Sequence, residues 1–293
     1  LDLSDFAFSK LNITIVGLGL IGGSFALALK ELNPNKLWAI DKNRDILVMA
    51  EEKGVIDKGY FDPKTPLEKS DIVVIALYPK SIIKFVKDNL NYFKSGAVIT
   101  DTAGLKENIV QEIHTFIRED VDFIGGHPMA GREFSGFPYA SKKIFIDSNY
   151  ILTPIEENQK EHIHLLKSMI RKIGFKNVVY LEPKKHDEII AFISHLPHVI
   201  ASTLVNSKML EEGNSCIGRS FKDMTRVAYI NSDLWTELFL ENRENLICQI
   251  DLFQRDIEKI KKALQKKDRD TLKSILDNSS LKKEEFNNAE TYR

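Results

Sequence analysis

Apolar and polar positions follow two different periods along this chain, and the change falls near residue 183. Before it, short apolar runs alternate with amphipathic stretches. Ile13–Val16, Lys36–Ile40, Asp71–Leu77, Ala97–Asp101, Asp122–Gly126, Lys143–Ile146, Tyr150–Thr153 and Asn177–Leu181 read as strands. The run Asp71-Ile-Val-Val-Ile-Ala-Leu has no polar break, as expected for a central parallel strand covered on both faces. Helical spacing occupies the stretch from Phe25 and residues 43–53, 80–90, 105–118 and 157–173. This alternation predicts an α/β, Rossmann-type, mostly parallel sheet over residues 1–182, with ligands collecting at the carboxyl ends of its strands.

From residue 183 to 293 the strand pattern stops and an all-helical domain is expected. Lys185 to Glu211 reads as one long helix kinked by Pro197, which lacks an N–H and crowds the preceding turn. Further helices are expected over 217–230, 233–265 and 267–277, with a frayed polar tail from Lys282. Leu234, Leu238, Leu246, Ile250, Phe253 and Ile257 form apolar stripes too extensive for a domain of this size to bury alone. Homodimerisation through this half is therefore expected.

The strand Ile13–Val16 runs into Gly17, Gly19 and Gly22, a GxGxxG spacing that opens the next helix. In a strand–turn–helix the first glycine permits the tight turn, the second lets the backbone approach a pyrophosphate, and the third lets helix and strand pack closely. Leu20 and Ile21, in the first helical turn, bring free N–H groups and a partial positive charge to the same place. Asp41 ends the second strand about 20 residues further on, where a carboxylate accepts hydrogen bonds from the ribose hydroxyls of NAD and repels the extra phosphate of NADP. Arg44, close by, is of the type that holds that phosphate. The balance favours NAD as cofactor.

Bulk properties narrow the class. The chain has 293 residues, 43% apolar and 28% charged, with a formal net charge of -1. That suits a soluble globular protein without general attraction for nucleic acid or acidic lipid. Cys216 and Cys248 read as buried free thiols. No apolar run looks long enough to span a membrane and the N-terminus lacks a signal-peptide pattern, so a cytoplasmic location is the expectation.

Three segments carry candidate chemistry. In Gly125-Gly-His-Pro-Met-Ala-Gly131, His127 lies at a strand's carboxyl end and Pro128 restricts its backbone; its ordinary pKa suits proton transfer near neutrality. The alternative is a structural histidine at a glycine-rich turn. In Ser194-His-Leu-Pro-His198, His195 and His198 share a helical face beside Ser194. Without a companion acidic ligand at metal spacing a zinc site is not expected, which leaves substrate contact or a packed pair. In Ser220-Phe-Lys-Asp-Met-Thr-Arg226, Asp223 and Arg226 are spaced to pair on a helix. If they face the cleft, Asp223 readies the guanidinium for a substrate carboxylate; if they face solvent, the pair matters little.

Over nearly its whole length the chain resembles the prephenate dehydrogenase family, which includes arogenate dehydrogenases. The resemblance rests on GLGLIGGS at 17–24, GGHPMAG at 125–131, SHLPH at 194–198 and FKDMTR at 221–226, in order and spacing. It implies an N-terminal NAD domain and a helical dimerisation domain with the active site between them. The implied reaction is oxidative decarboxylation of prephenate, a small anion, to 4-hydroxyphenylpyruvate in tyrosine biosynthesis. His127 resembles the histidine that takes the ring hydroxyl proton, and Arg226 the arginine that binds substrate carboxylate, with Asp223 as its orienter. His195 and His198 resemble histidines of the substrate pocket, Glu133 an acidic residue at the cleft mouth, and Asp41 the adenosine-ribose ligand. The chain departs from the pattern at Gly104, where relatives often carry a serine that supports histidine and nicotinamide; Thr102 or a water is the candidate substitute. Arg132 adds positive charge beside the cleft, which favours prephenate over arogenate with its extra ammonium. Other readings are an arogenate dehydrogenase forming tyrosine directly, a β-hydroxy acid dehydrogenase, whose base is usually lysine, and a non-enzymatic nucleotide-binding dimer module.

Overall fold

The computed structural model describes residues 6–131 and 134–291. By internal contacts the chain divides into two compact units, Leu1–Asn242 and Arg243–Arg293.

In the first unit eight strands form one sheet: β1 Asn12–Val16, β2 Lys36–Ile40, β3 Lys58–Tyr60, β4 Ile72–Ile75, β5 Val98–Asp101, β6 Asp122–Pro128, β7 Asn149–Thr153 and β8 Asn177–Tyr180. Their order is β3-β2-β1-β4-β5-β6-β7-β8. Pairing is parallel except between β6 and β7, where Gly126 faces Leu152 and His127 faces Ile151. The first six strands thus have the order of a dinucleotide-binding sheet, with its reversal point between β1 and β4. Helices α1 Leu20–Lys30, α2 Arg44–Glu52, α3 Lys64–Leu67, α4 Pro79–Asp88, α5 Glu107–His114 and α6 Lys160–Lys172 accompany the strands. Two apolar layers result. One joins Ile13, Ile15, Phe25 and Leu29 to Phe145, Tyr150 and Phe175. The other joins Val16, Val73 and Ile75 to Ile82, Ile109, Val110 and Ile113. The apolar faces of α1 and α6 serve the first layer, and those of α4 and α5 the second.

Helix α7 (Pro183–Ile190) follows, then a π-turn (Ala191–His195), then α8 (Leu196–Val205). The expected kink near Pro197 takes this form. The Leu196 N–H reaches back five residues to the Ala191 carbonyl, and the wider turn absorbs the bond that proline cannot donate. Pro183–Val205 has a mean hydropathy of 1.5 over its most apolar window, so by length and composition one helix does suffice to cross a bilayer, contrary to the sequence expectation. Its inner face nevertheless carries the buried polar residues His186, Asp187 and His195. The unit closes with α9 Met209–Gly213, α10 Arg219–Thr225 and α11 Ser232–Glu241.

The second unit contains α12 Arg243–Gln265 and α13 Arg269–Thr291, joined at Lys267 in a left-handed conformation. Ile247, Leu252, Ile257, Leu264, Leu276, Leu281 and Phe286 are exposed.

Several expectations need correction: the helix expected over Lys185–Glu211 ends at Val205, and the one expected over 233–265 is broken at Asn242. Lys142–Phe145 is a 3₁₀ turn rather than a strand: Ser141 Oγ accepts the Lys143 N–H at 3.3 Å and turns the chain, while Ile144 and Phe145 still reach the core. The three-residue β3 was not foreseen. The polar tail from Lys282 remains helical to Thr291. Both cysteines are free but exposed, not buried.

Candidate active site

The turn after β1 has the geometry a pyrophosphate needs. Gly17 has φ +91°, and a Cβ there would stand 2.6 Å from the Ala76 carbonyl oxygen at the end of β4. A Cβ on Gly22 would stand 1.8 Å from the Gly17 oxygen, so both positions exclude any side chain. Gly19, by contrast, faces space with nothing within 4 Å, and it begins α1 without a side-chain cap. The first-turn N–H groups of Leu20, Ile21 and Gly22 are therefore presented for an anion. Asp41 Oδ2 accepts the Leu18 N–H at 2.7 Å and Oδ1 the Asn43 N–H at 2.8 Å, tying the glycine turn to the end of β2. Each oxygen keeps a second lone pair for a ribose hydroxyl. Arg44 lies with its guanidinium 4.9 Å above the exposed Phe61 ring. Thr102 is held by its N–H to the Ile75 carbonyl at 3.0 Å, between the ends of β4 and β5. These residues fit a dinucleotide.

A buried polar cluster stands at the same edge of the sheet, at the carboxyl ends of β5 and β6. Lys106 and Asp101 are fully buried and form an ion pair. Asp101 also accepts the Ala103 N–H at 2.9 Å and the Gly126 N–H at 3.0 Å. A Cβ on Gly126 would stand 2.4 Å from the Tyr150 hydroxyl, so the second glycine before His127 is a close-approach position. Burial lowers the Lys106 pKa, and Asp101 opposes the shift.

His127 reaches across to α7. Its Nδ1 is 2.9 Å from His186 Nε2, and His186 Nδ1 is 2.6 Å from Asp187 Oδ1. Asp187 in turn accepts the Lys106 N–H at 2.8 Å and the Glu107 N–H at 2.9 Å. It thereby caps α5, whose own start has no side-chain cap. Burial and the neighbouring His186, Lys106 and His195 drive the His127 pKa well below the usual value. Burial also pushes His186 down to about 2, and raises the Asp187 carboxyl to about 6 against the pull of its backbone donors and Lys106. Both imidazoles are neutral at physiological pH. A Cβ added to Gly104 would lie 3.9 Å from His127 Nε2 and 3.4 Å from Leu238 of α11, so this glycine borders the nitrogen opposite His186.

Helix α11 frames the remaining wall. It is tied to the start of α4 by the Lys80 N–H to Glu237 Oε1 (2.9 Å), by Lys80 to Glu241 (3.0 Å), and by Asn231 to the Tyr78 hydroxyl (3.2 Å). His198 stacks on Trp235 with centroids 3.6 Å apart, and its Nδ1 lies 2.8 Å from the Ser194 carbonyl, which fixes that nitrogen as donor. Burial lowers the His198 pKa, and the Arg226 charge adds to the shift, so Arg226 lies within electrostatic range of His198. The turn bearing Arg226 packs on α8. His195 is buried between Trp235 and Phe239 with its Nδ1 3.4 Å from Asn242 Nδ2, and burial takes it down to about 4. Its packing is that of a wall residue, and Asn242 also donates to the Asp187 carbonyl at 2.9 Å.

The anticipated Asp223–Arg226 pair is not formed. Asp223 is exposed and its ion partner is Arg219 at 3.6 Å, one helical turn earlier, so it does not orient Arg226. Arg132 and Glu133 lie outside the described residues. Lys106, His186, Asp187, Trp235 and Asn242 were not singled out from sequence. The available signals were the Asp101–Lys106 loop, which resembles a family loop reading DxGSxK, and His186-Asp187 early in a helix starting at Pro183, which reads equally as a solvated face.

A Rossmann-type sheet with a prepared phosphate turn, and at the same sheet edge a partly buried neutral histidine and a histidine–arginine wall, defines a nucleotide-dependent dehydrogenase class. The comparisons are more specific. Residues 25–179 match the prephenate dehydrogenase nucleotide-binding domain and residues 182–278 the prephenate dehydrogenase dimerization domain. The chain is 30% identical to prephenate dehydrogenase of Bacillus subtilis, over 90% of this chain and 72% of that protein. It is 32% identical to that of Lactococcus lactis, over 88% and 72%. It superposes on the A. aeolicus prephenate dehydrogenase, solved in complex with hydroxyphenyl propionate and NAD+, with TM-score 0.87 and 28% identity, covering 96% of this chain and 100% of that one. The chain belongs to the prephenate dehydrogenase family.

Proposed function

We propose that this chain is an NAD-dependent prephenate dehydrogenase that converts prephenate to 4-hydroxyphenylpyruvate and CO2. The observation that carries the reading is a neutral, partly buried His127 whose Nε2 has no hydrogen bond to any described residue, at the carboxyl-terminal edge of the sheet that also bears the phosphate turn at Gly19. A neutral imidazole with an open lone pair is what a hydroxyl proton needs as acceptor. His127 takes the proton of the hydroxyl on ring carbon C4, and the electron pair of that O–H bond becomes the carbonyl bond as hydride leaves C4. A nicotinamide nucleotide held at the Gly17–Gly22 turn would supply the acceptor for that hydride. Departure of the ring carboxylate as CO2 returns its electron pair to the ring, which becomes aromatic. Arg226 and His198 bind the substrate's side-chain carboxylate, Ser194 supports His198 through its carbonyl, and His195 forms the wall behind them. Arg132 and Glu133, outside the described residues, keep the roles the family resemblance implies: Glu133 an acidic group of the cleft mouth, and Arg132 a positive charge that favours a dianionic substrate over one carrying an ammonium.

Asp41 selects NAD, with Gly17, Gly19, Leu20, Ile21 and Gly22 on the phosphates and Thr102 beside the nicotinamide. Arg44, stacked on Phe61, lies at the adenosine end. The functional division falls near residue 182, with the helical part forming a homodimer through exposed apolar side chains such as Ile247, Leu264 and Leu276. A cytoplasmic biosynthetic enzyme is the corresponding cellular reading. A panel of prephenate and arogenate against NAD and NADP, followed by the absorbance of the reduced nicotinamide, tests the whole. Turnover of prephenate with NAD is expected. Turnover of arogenate alone would replace the substrate, and no turnover of either would overturn the reading.

A further inference from the structure

The order of hydrogen bonds from α5 to the pocket leaves little freedom in where the imidazole protons sit. Asp187 lies at the N-terminus of α5, where its carboxylate takes two backbone N–H groups, one on each oxygen. A helix N-terminus and two such donors favour the ionised, acceptor-only form. An ionised Oδ1 at 2.6 Å from His186 Nδ1 requires the proton on that nitrogen, since two facing lone pairs would repel. A neutral His186 with its proton on Nδ1 offers only a lone pair at Nε2. At 2.9 Å from it, His127 Nδ1 must then be the donor. The chain of constraints ends with a bare Nε2 on His127, on the side that Gly104 borders. Had His186 pointed its Nε2 proton at His127, the proton of His127 would sit on the pocket nitrogen and block it as an acceptor.

We propose that Asp187 and His186 are positioning residues, which together fix His127 in the tautomer protonated at Nδ1 and keep its Nε2 lone pair in the pocket. The set extends the family's single-histidine base into a three-residue line that crosses from β6 to α7. It matters more here because Gly104 supplies no hydroxyl of its own to orient the ring. Lys106 takes part indirectly: its backbone N–H holds Asp187, while its ammonium is spent on Asp101.

The inference rests on the proposed function only in its kinetic arm. Heteronuclear NMR of the imidazole nitrogens in the wild-type protein, with His127 assigned by its loss in H127Q, reads the tautomer without any substrate. A proton on His127 Nδ1 is expected, and a proton on Nε2 would overturn the proposal. In D187N the amide gives up one of the two backbone donors that Asp187 accepts; with its nitrogen toward His186 it loses the Lys106 N–H, donates to His186 Nδ1, turns the relay round and puts the proton on the pocket nitrogen. Turnover of prephenate should then fall by ~10²–10⁴, the range a general base supplies, with KM and nucleotide affinity kept. H186A disconnects the two ends, so adding D187N to it should cost nothing further in kcat. Equal losses from D187N in both backgrounds would mean that Asp187 only supports the fold. Inactivity on prephenate would leave the NMR result standing and would count against the substrate assignment alone.

Discussion

Replacing Lys106 by methionine tests whether the polar cluster behind His127 is as tightly balanced as its geometry indicates. Methionine keeps the unbranched length and most of the volume, so the change removes chiefly the ammonium. Asp101 would remain fully buried with a negative charge and two backbone donors, at 2.9 and 3.0 Å. Breaking a buried pair from one side typically costs ~3–5 kcal/mol. The two surviving donors place K106M at the lower end, about 3 kcal/mol. The double variant D101N/K106M removes the stranded charge and leaves one backbone N–H without an acceptor, worth ~1–3 kcal/mol. It should therefore be more stable than K106M alone. Equilibrium urea unfolding followed by tryptophan fluorescence is suitable, because both tryptophans, Trp38 and Trp235, lie in the Leu1–Asn242 unit with the cluster. A loss under about 1 kcal/mol in K106M, or a double variant weaker than the single one, would refute the view that Lys106 and Asp101 depend on each other.

Other expectations concern catalysis and binding. H127A should lower kcat by ~10²–10⁴ with little change in KM, because its bond to the departing proton strengthens in the transition state; a KM effect alone would make His127 a binding residue. R226A should mainly raise KM for prephenate, and a collapse of kcat at constant KM would contradict a ground-state carboxylate contact. D41A should weaken NAD and narrow its advantage over NADP in fluorescence titrations; unchanged selectivity would remove Asp41 from the ribose. In pH profiles kcat should fall as pH drops through about 6. Burial raises the Asp187 carboxyl to that value, whereas His186 and His195 titrate near 2 and 4 and His127 lies well below its usual value, with Lys106 the other charge acting on the group. Proton uptake by a group with a raised pKa begins on the acid side of neutrality, and here it lets His186 donate toward His127. The limb should vanish in H186A, and its persistence there would assign it to another group.

How far this site can be read without coordinates depends on whether its parts follow a local period. The phosphate turn does: spacing alone requires a glycine where φ is +91° and another where a Cβ would strike the Gly17 oxygen. The central strands do as well, being long apolar runs with no competing pattern. Lys143–Ile146 has the same apolar content but only four residues, and the Ser141 cap wins over β propensity there. Cys216 and Cys248 lie among mixed apolar and polar neighbours and are exposed, so neighbourhood composition gave the wrong burial. The relay is harder still, because its partners are distant in sequence: His127 and His186 are 59 residues apart, Lys106 and Asp187 81. In the sequence, Lys184-Lys185-His186-Asp187-Glu188 is five consecutive polar positions, indistinguishable from an exposed helix start. What buries two of them is the docking of α7 over α5 and the end of β6, where α5 offers backbone donors that none of its own side chains cap. An uncapped helix N-terminus in the sheet domain and an unexplained His-Asp after it are each uninformative alone, but one supplies the acceptor the other lacks. Pairing such complementary deficits between distant elements is a physical criterion that sequence spacing does not contain, and in this chain it leads to the groups standing directly behind the proposed base.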